Sequence, residues 1–213
     1  FGATTDIDGR KHAEEERELL VRELAHRIRN MFALVRSLAT QTLRHSSAPG
    51  EFGPAFIGRL DTLARLSSVL GADERQPVDL RQVIEAALEP YRAAGNLHLD
   101  GPPVALSAPI ARTLSLVLHE LATNAAKYGA LSKDGGSVDL AWRHVAMEDG
   151  VSRLELDWRE AGGPTITAPP ERRGFGCTLI QQSVIQGLGG AARLEFPPAG
   201  ARCRLELPLP AVA

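Results

Sequence analysis

Residues 118–131 read LHELATNAAKYGAL, and this stretch decides the fold. Its composition predicts a helix, and Glu120 and Asn124 are four residues apart, so their side chains lie on one helical face. Lys127 follows on that face, with Tyr128 beside it. A carboxylate, a carboxamide oxygen and an ammonium group arranged in this way could hold a Mg²⁺–phosphate group. An amphipathic helix with a solvated polar face would show the same residues, so both interpretations remain open at this point.

Helix and strand patterns surround this stretch. Asp79 is a favourable N-cap residue for a helix from Leu80 to about Tyr91, and the LHELATNAAKYGAL helix extends from Ser107 or Ala108 to Tyr128. Alternating apolar residues predict four strands, around residues 138–142, 154–158, 192–196 and 202–207, and a helix at about 177–187 lies between the second and third. This order of helices and strands predicts an α+β layer sandwich.

The second predicted strand ends in DWREAGGP, residues 157–164. Glu160 lies where the strand gives way to a turn, and the glycines after it allow a ligand to approach the backbone closely. A carboxylate at this position could accept a hydrogen bond from an adenine amino group. An ordinary strand end followed by a turn is the alternative.

A second glycine motif is RRGFGCTLI, residues 172–180. Gly174 and Gly176 open a predicted helix, whose free N–H groups and dipole favour a phosphate. Arg172 and Arg173 add positive charge. A single Gly-x-Gly before a helix is a weak signal. The order of the three motifs, a helix with Glu and Asn one turn apart, a strand ending in an acid and glycines, and a glycine loop that opens a helix, indicates a nucleotide pocket.

The N-terminal part of the chain is predicted to be helical. Residues 10–44 lack proline and glycine, and a helix over residues 12–44 would be ~50 Å long. An apolar seam repeats at alternating intervals of three and four, which predicts packing along a partner helix: Val21, Leu24, Ile28, Met31, Val35, Leu38 and the polar Thr42. SSAPGEFGP, residues 46–54, ends this helix. A second helix from about Pro54 to Leu70 completes an antiparallel hairpin, which could pair with a second copy into a four-helix bundle.

His26 lies on the first helix, at the heptad position farthest from the seam. An exposed imidazole is sufficiently unprotonated at neutral pH to act as a nucleophile toward phosphorus. A surface histidine without function is the alternative, because this heptad position is usually polar.

Composition sets further bounds. Hydrophobic residues make up 44% and charged residues 23% of the 213 residues, as in an ordinary globular protein. The net charge of −2 gives no indication of a nucleic-acid partner, and no apolar run reaches the ~20 residues of a membrane-spanning helix. Cys177 and Cys203 have no metal-ligand or disulfide-framework spacing, which favours a cytoplasmic location.

The three pocket motifs resemble the N, G1 and G2 boxes of histidine-kinase ATP-binding domains, which have the Bergerat fold. His119 directly before Glu120, and Trp158 and Glu160 in W-x-E spacing, resemble the markers of the HWE histidine kinases. AHRIRNMFALVRSLATQT, which contains His26, is similar to the phosphoacceptor box of that subfamily. The resemblance extends from about Leu24 to Leu207. It implies a two-helix phosphoacceptor hairpin followed by a Bergerat-type α/β sandwich.

The resemblance also implies a role for each motif residue. His26 is then the phosphoacceptor, Asn124 the Mg²⁺ ligand, and Glu120 a base or a Mg²⁺ ligand through water. Glu160 recognises adenine. The remaining ATP-binding residues are Lys127, Tyr128, Gly162, Gly174, Phe175 and Gly176. The resemblance implies no chemical role for the two markers. Trp158 could pack in the core, and His119 could form a contact between a helix and a strand.

Two positions depart from the family pattern. Arg27 follows His26 where other histidine kinases have an acidic residue, which leaves the base for His26 unassigned. Pro164 stands where a second glycine of the G1 box is usual.

The expected domains are a sensor end and signalling helix at 1–18, the hairpin at 19–72 and the ATP-binding domain at 77–213. TTDIDGRKHAEEE, residues 4–16, resembles the end of a PAS sensor domain. Because the sequence begins at Phe1 without a methionine, we expect a sensor domain upstream of it. We expect a homodimer, although the seam could also be satisfied within one hairpin.

The implied function is a sensor histidine kinase. It would autophosphorylate His26 from Mg²⁺–ATP and pass the phosphoryl group to an aspartate of a response-regulator receiver domain. The alternative is a non-catalytic ATP-binding or phosphotransfer adaptor that sequesters a response regulator, which the missing acid after His26 keeps open. An ATPase or protein-serine kinase of the same fold would usually lack the histidine-bearing hairpin.

Overall fold

The computed structural model describes residues 52–70, 76–93, 95–146, 152–168 and 180–209. It also describes residues 31–40, 42–43 and 50, and in the N-terminal region residues 14, 17–18, 21–22, 24–25 and 28–29. Contacts divide the chain into two compact units, Phe1–Phe56 and Ile57–Ala213. The predicted domains at 1–18, 19–72 and 77–213 follow a different division and stay a prediction.

The first unit contains helix α1, which is continuous over residues 31–40. Every described residue between 14 and 43 is helical, which confirms the predicted long helix at those positions. The first four seam residues are between 46% and 62% exposed, whereas Leu38 and Thr42 are buried. His26 lies outside the described residues.

Helix α2 spans Phe52–Leu70, and it begins two residues before the predicted start at Pro54. Proline is tolerated there because the first four N–H groups of a helix have no partner within it. Leu63, Leu66 and Leu70 are buried, but Leu60 is 37% exposed, so only part of the predicted stripe faces the core.

The main sheet of the second unit has five strands in the order β2-β4-β5-β7-β6. They span Leu97–Asp100 (β2), Ser137–Ala146 (β4), Ser152–Ala161 (β5), Ala191–Glu195 (β6) and Arg202–Leu209 (β7). β2 is parallel to β4, and the other pairs are antiparallel. A two-stranded sheet pairs β1, Val78–Asp79, with β3, Ala105–Leu106. The sequence patterns missed β1, β2 and β3, because two to four residues are too few to show a period.

Helices α3, Leu80–Leu88, and α4, Ala108–Tyr128, belong to the same unit. The predicted bounds of α4 are confirmed. α3 is shorter than predicted, because a 3₁₀ turn over Glu89–Tyr91 follows it and its Pro90 lacks the N–H that an α-helix would use. Asp79 is at the N-cap position but makes no side-chain capping bond. Its carboxylate accepts instead from the Val104 N–H at 3.4 Å.

The core lies between the inner face of the sheet and the helices. Val138, Leu140 and Trp142 of β4 and Leu154, Leu156 and Trp158 of β5 are all at most 4% exposed. On α4 the predicted apolar face is buried as expected: Leu114, Val117, Leu118, Leu121 and Ala125. Each large side chain removed from water in this way contributes about 1.5–3 kcal/mol.

The predicted helix at 177–187 is described only from residue 180. Residues 180–182 are α-helical, and Ser183–Gly187 form a π-helical turn. Among the helices that the structure describes, none is both long and apolar enough to cross a membrane.

Candidate functional site

Glu160 joins the end of β5 to the turn after α4. Its Oε2 accepts the Ala130 N–H at 2.9 Å, and its Oε1 accepts the Trp158 indole N–H at 3.2 Å. The side chain is 8% exposed. Burial raises the pKa of Glu160, while the hydrogen bonds from Ala130 and Trp158 oppose that rise. The carboxylate is therefore held in a defined plane at the site that the sequence predicts for adenine.

Glycines bring the backbone of this region together. Gly162 has a φ of +74°, a conformation that favours glycine, and a Cβ there would lie 2.9 Å from the Gly135 carbonyl oxygen. A Cβ on Gly163 would lie 2.8 Å from the Ala130 Cα. The turns after β5 and after α4 are thus in direct contact, so the N-box and G1-box motifs form one region.

Asn124, Lys127 and Tyr128 lie on the last two turns of α4. Asn124 is half-buried, whereas Lys127 and Tyr128 are exposed, the tyrosine to 73%. Among the residues that the structure describes, the Asn124 carboxamide has no hydrogen-bond partner.

Glu120 occupies a different environment from the rest of the motif. Its Oε1 lies 2.7 Å from Nε of Arg59 on α2, and the two side chains are 7% and 4% exposed. Burial raises the pKa of Glu120, and the Arg59 guanidinium opposes this rise. Burial has the opposite effect on Arg59 and lowers its pKa, because it disfavours the charged guanidinium. In this conformation the Glu120 carboxylate is paired with α2 and is not presented to solvent.

The marker His119 packs between helical elements. Its Nδ1 lies 3.2 Å from the Tyr91 hydroxyl, which is also 2.7 Å from the Thr123 hydroxyl. A Cβ on Gly58 of α2 would lie 3.1 Å from the His119 Nε2. Burial, with Arg59 and Arg65 nearby, lowers the pKa of His119 to about 4, so the ring is neutral. These neighbours belong to α2, to α4 itself and to the turn after α3, and the expected helix–strand contact stays a prediction.

The structure brings Glu160 and Gly162 together with the end of α4. The predicted residues His26, Gly174, Phe175 and Gly176 lie outside the described residues. Sequence reasoning missed Arg59, although a signal was present. Arg59 precedes the buried Leu63, Leu66 and Leu70 at intervals of four, three and four, which places an arginine on the buried stripe.

The described residues fit Mg²⁺–ATP in part. An amide oxygen such as that of Asn124 is a ligand that Mg²⁺ accepts, alongside phosphate oxygens and water. The exposed Lys127 could approach a phosphate from the same helix end. Glu120 would fit only after leaving Arg59.

Two comparisons with known proteins both match histidine kinases. The model of the HWE histidine kinase family matches residues 23–103. The "Blue-light-activated histidine kinase" of Brucella ovis is 36% identical over 203 residues, covering 94% of this chain and 41% of the relative. The chain therefore spans about two fifths of the length of the curated relatives it matches.

Solved structures share the fold. The histidine kinase domain from the Erythrobacter litoralis EL346 blue-light activated histidine kinase has a TM-score of 0.55 at 17% identity, covering 83% of this chain and 94% of that one. A longer structure of that kinase has a TM-score of 0.59 at 19% identity, covering 84% and 59%. The family model matches residues 23–103, and the Brucella ovis kinase is 36% identical along 94% of this chain, so the chain is similar to the HWE histidine kinases.

Proposed function

We propose that this chain is the kinase portion of a sensor histidine kinase. It autophosphorylates His26 from Mg²⁺–ATP and then transfers the phosphoryl group to an aspartate of a response regulator. The observation that carries the proposal is the Glu160 carboxylate, which is held at the junction of β5 and the turn after α4 in a chain similar to this family.

Each residue then has a defined task. A ring nitrogen of His26 attacks the γ-phosphorus, the bond to the β,γ-bridging oxygen breaks, and ADP leaves. Asn124 would hold Mg²⁺, which neutralises charge on the triphosphate, and Glu120, once released from Arg59, would bind it through water or act as a base. Lys127, Tyr128 and the loop of Gly174, Phe175 and Gly176 would bind the phosphates, while Glu160 and Gly162 would bind adenine. Phosphoryl transfer depends mainly on such positioning and charge neutralisation.

The partners follow from the same proposal. A carboxylate oxygen of the receiver aspartate attacks the phosphorus, and the nitrogen–phosphorus bond breaks. The named relatives are blue-light-activated kinases, so an upstream light sensor is the first candidate for the input. The exposed seam residues Val21, Leu24, Ile28 and Met31 suit a second copy of α1 in a homodimer. A cytoplasmic location, where ATP and receiver domains meet, belongs to the same proposal.

Incubation with γ-labelled ATP and Mg²⁺ tests the phosphoacceptor. Wild type should gain label that is labile in acid and stable in alkali. His26→Ala and Asn124→Ala should each lose it, whereas His144→Ala, which changes an exposed histidine of β4, should keep it. Adding a purified receiver domain should then move the label to an alkali-labile form on that protein.

Other outcomes separate the alternatives. Label that persists in His26→Ala would assign the acceptor elsewhere. ATP binding without any label, together with tight binding of a receiver domain, would support the adaptor. Free phosphate released without labelled protein would indicate an ATPase.

A further inference from the structure

Trp158 and Glu160 alternate along β5 and therefore point to the same face of the sheet. Trp158 is 1% exposed, and its indole N–H donates to the Glu160 Oε1 at 3.2 Å. A buried indole N–H needs an acceptor, because the group loses its water. Glu160 is that acceptor, so Trp158 contributes a directed bond in addition to core packing.

A second donor fixes the other carboxylate oxygen. The Ala130 N–H approaches Oε2 at 2.9 Å from the turn after α4. Because the two donors come from different elements, they set both the position and the plane of the carboxylate. An ionised carboxylate accepts about four hydrogen bonds, and the two donors from Ala130 and Trp158 leave acceptor sites for a ligand.

We propose that Trp158 is a positioning residue for nucleotide recognition, whose indole N–H holds the Glu160 carboxylate in the orientation that accepts a hydrogen bond from the adenine 6-amino group. This inference rests on the proposed function, since it assumes that Glu160 faces adenine. It gives the tryptophan of the W-x-E marker a chemical role, which the sequence did not provide.

Loss of the indole N–H should reduce adenine recognition specifically. Two nucleotides are compared by calorimetric titration with the full chain and Mg²⁺: ATP, and purine riboside 5′-triphosphate, which has hydrogen in place of the 6-amino group. Wild type should prefer ATP. Trp158→Phe should lose about tenfold in ATP affinity, the equivalent of one hydrogen bond to a charged group, and much less in affinity for the analogue.

Trp142→Phe is the matched control. Trp142 is also buried, at 4% exposure, but its indole N–H donates to the Pro102 carbonyl oxygen at 2.7 Å. Val138 of β4 is the strand partner of Glu160. Trp142 lies four residues further along β4, at a distance of about 13 Å from Val138. Its replacement removes an indole N–H of the same sheet and should leave the ratio of the two affinities unchanged.

A second variant covers the possibility that phenylalanine leaves too large a gap. Benzothienylalanine at position 158 keeps the bicyclic shape and replaces the N–H by sulphur. It should lower the preference for ATP as Trp158→Phe does. A retained preference in this isosteric variant would overturn the proposal and leave Trp158 as core packing.

The Glu160→Gln variant separates this inference from the proposed function. If Glu160→Gln loses the preference for ATP and both Trp158 variants keep it, the adenine contact stands and the positioning role is wrong. Equal binding of both nucleotides by wild type would remove the adenine contact and this inference with it. The labelling of His26 is a separate readout, so its failure would be recognised independently.

Discussion

Gly129 shows at the scale of a single residue how closely the candidate site is fitted. A Cβ at this position would overlap the Glu160 Oε2 and would lie 3.0 Å from the Ala125 Cα. Its φ of −111° is accessible to any residue, so the neighbouring atoms, and not the backbone conformation, require glycine here. The smallest possible addition therefore pushes the carboxylate away from the Ala130 N–H.

Gly129→Ala should destabilise the chain by about 1–3 kcal/mol, as expected for overpacking, and should weaken ATP binding. Gly187→Ala is the control, because a Cβ there would have no atom within 4 Å. That change should stay within about 0.5 kcal/mol. Urea denaturation measures both, and equal stability of the two variants would contradict the described packing.

At the scale of elements, α2 meets α4 through a buried ion pair. Arg59 and Glu120 are almost fully enclosed, and Gly58 lies against the ring of the adjacent His119. Removing two charges from water is costly, and their mutual attraction compensates only while both are present. The contact thus makes the position of α2 depend on the N-box helix.

Arg59→Met should destabilise the chain by about 3–5 kcal/mol, because Glu120 would be left buried without its partner. The double variant Arg59→Met/Glu120→Leu should recover a large part of that loss. Arg193→Met is the control. It breaks the ion pair of Arg193 with Glu195, whose side chains are 79% and 47% exposed, and should lower the free energy of unfolding by less than about 1 kcal/mol. Denaturation midpoints of these three variants, of Glu120→Leu and of the wild type test this coupling, and additive losses of the two single variants in the double variant would exclude it.

At the scale of the whole molecule, the second unit begins inside α2 rather than after it. Leu66 and Leu70 are part of the same core cluster as the sheet and α4. The sequence prediction instead places the boundary between the hairpin at 19–72 and the ATP-binding domain at 77–213. A fragment cut at that boundary would remove these leucines from the core and Arg59 from Glu120.

Residues 52–213 should therefore unfold in one cooperative transition, at a higher urea concentration than residues 77–213. The longer fragment should also have the steeper dependence on urea, because more surface is exposed when it unfolds. Equal midpoints would mean that α2 adds nothing to the second unit, and the boundary predicted from the sequence would then be the better one.

The sequence predicted the elements with a clear period, and it grouped the motifs at 118–131 and 157–164, whose turns are in contact, whereas residues 172–179 of the third motif lie outside the described residues. α4 was found because its apolar residues repeat from Leu114 to Ala125, and β4 and β5 were found because three apolar residues alternate with other residues in each strand. The short β1, β2 and β3 carry too few residues to show a period. The Arg59–Glu120 pair joins residues far apart in sequence, and its geometry depends on how α2 packs, which no local pattern specifies.

The residues around the Glu160 carboxylate constrain one another through direct contacts. Gly129 leaves space for the carboxylate, Trp158 donates to it, and a side chain on Gly200 would overlap the Glu160 carbonyl oxygen. A lineage that exchanged the glutamate for a shorter acid would release the glycine and the tryptophan from their constraint together. We therefore expect these positions to be inherited as a unit, so that a relative lacking the tryptophan also differs at several of the others.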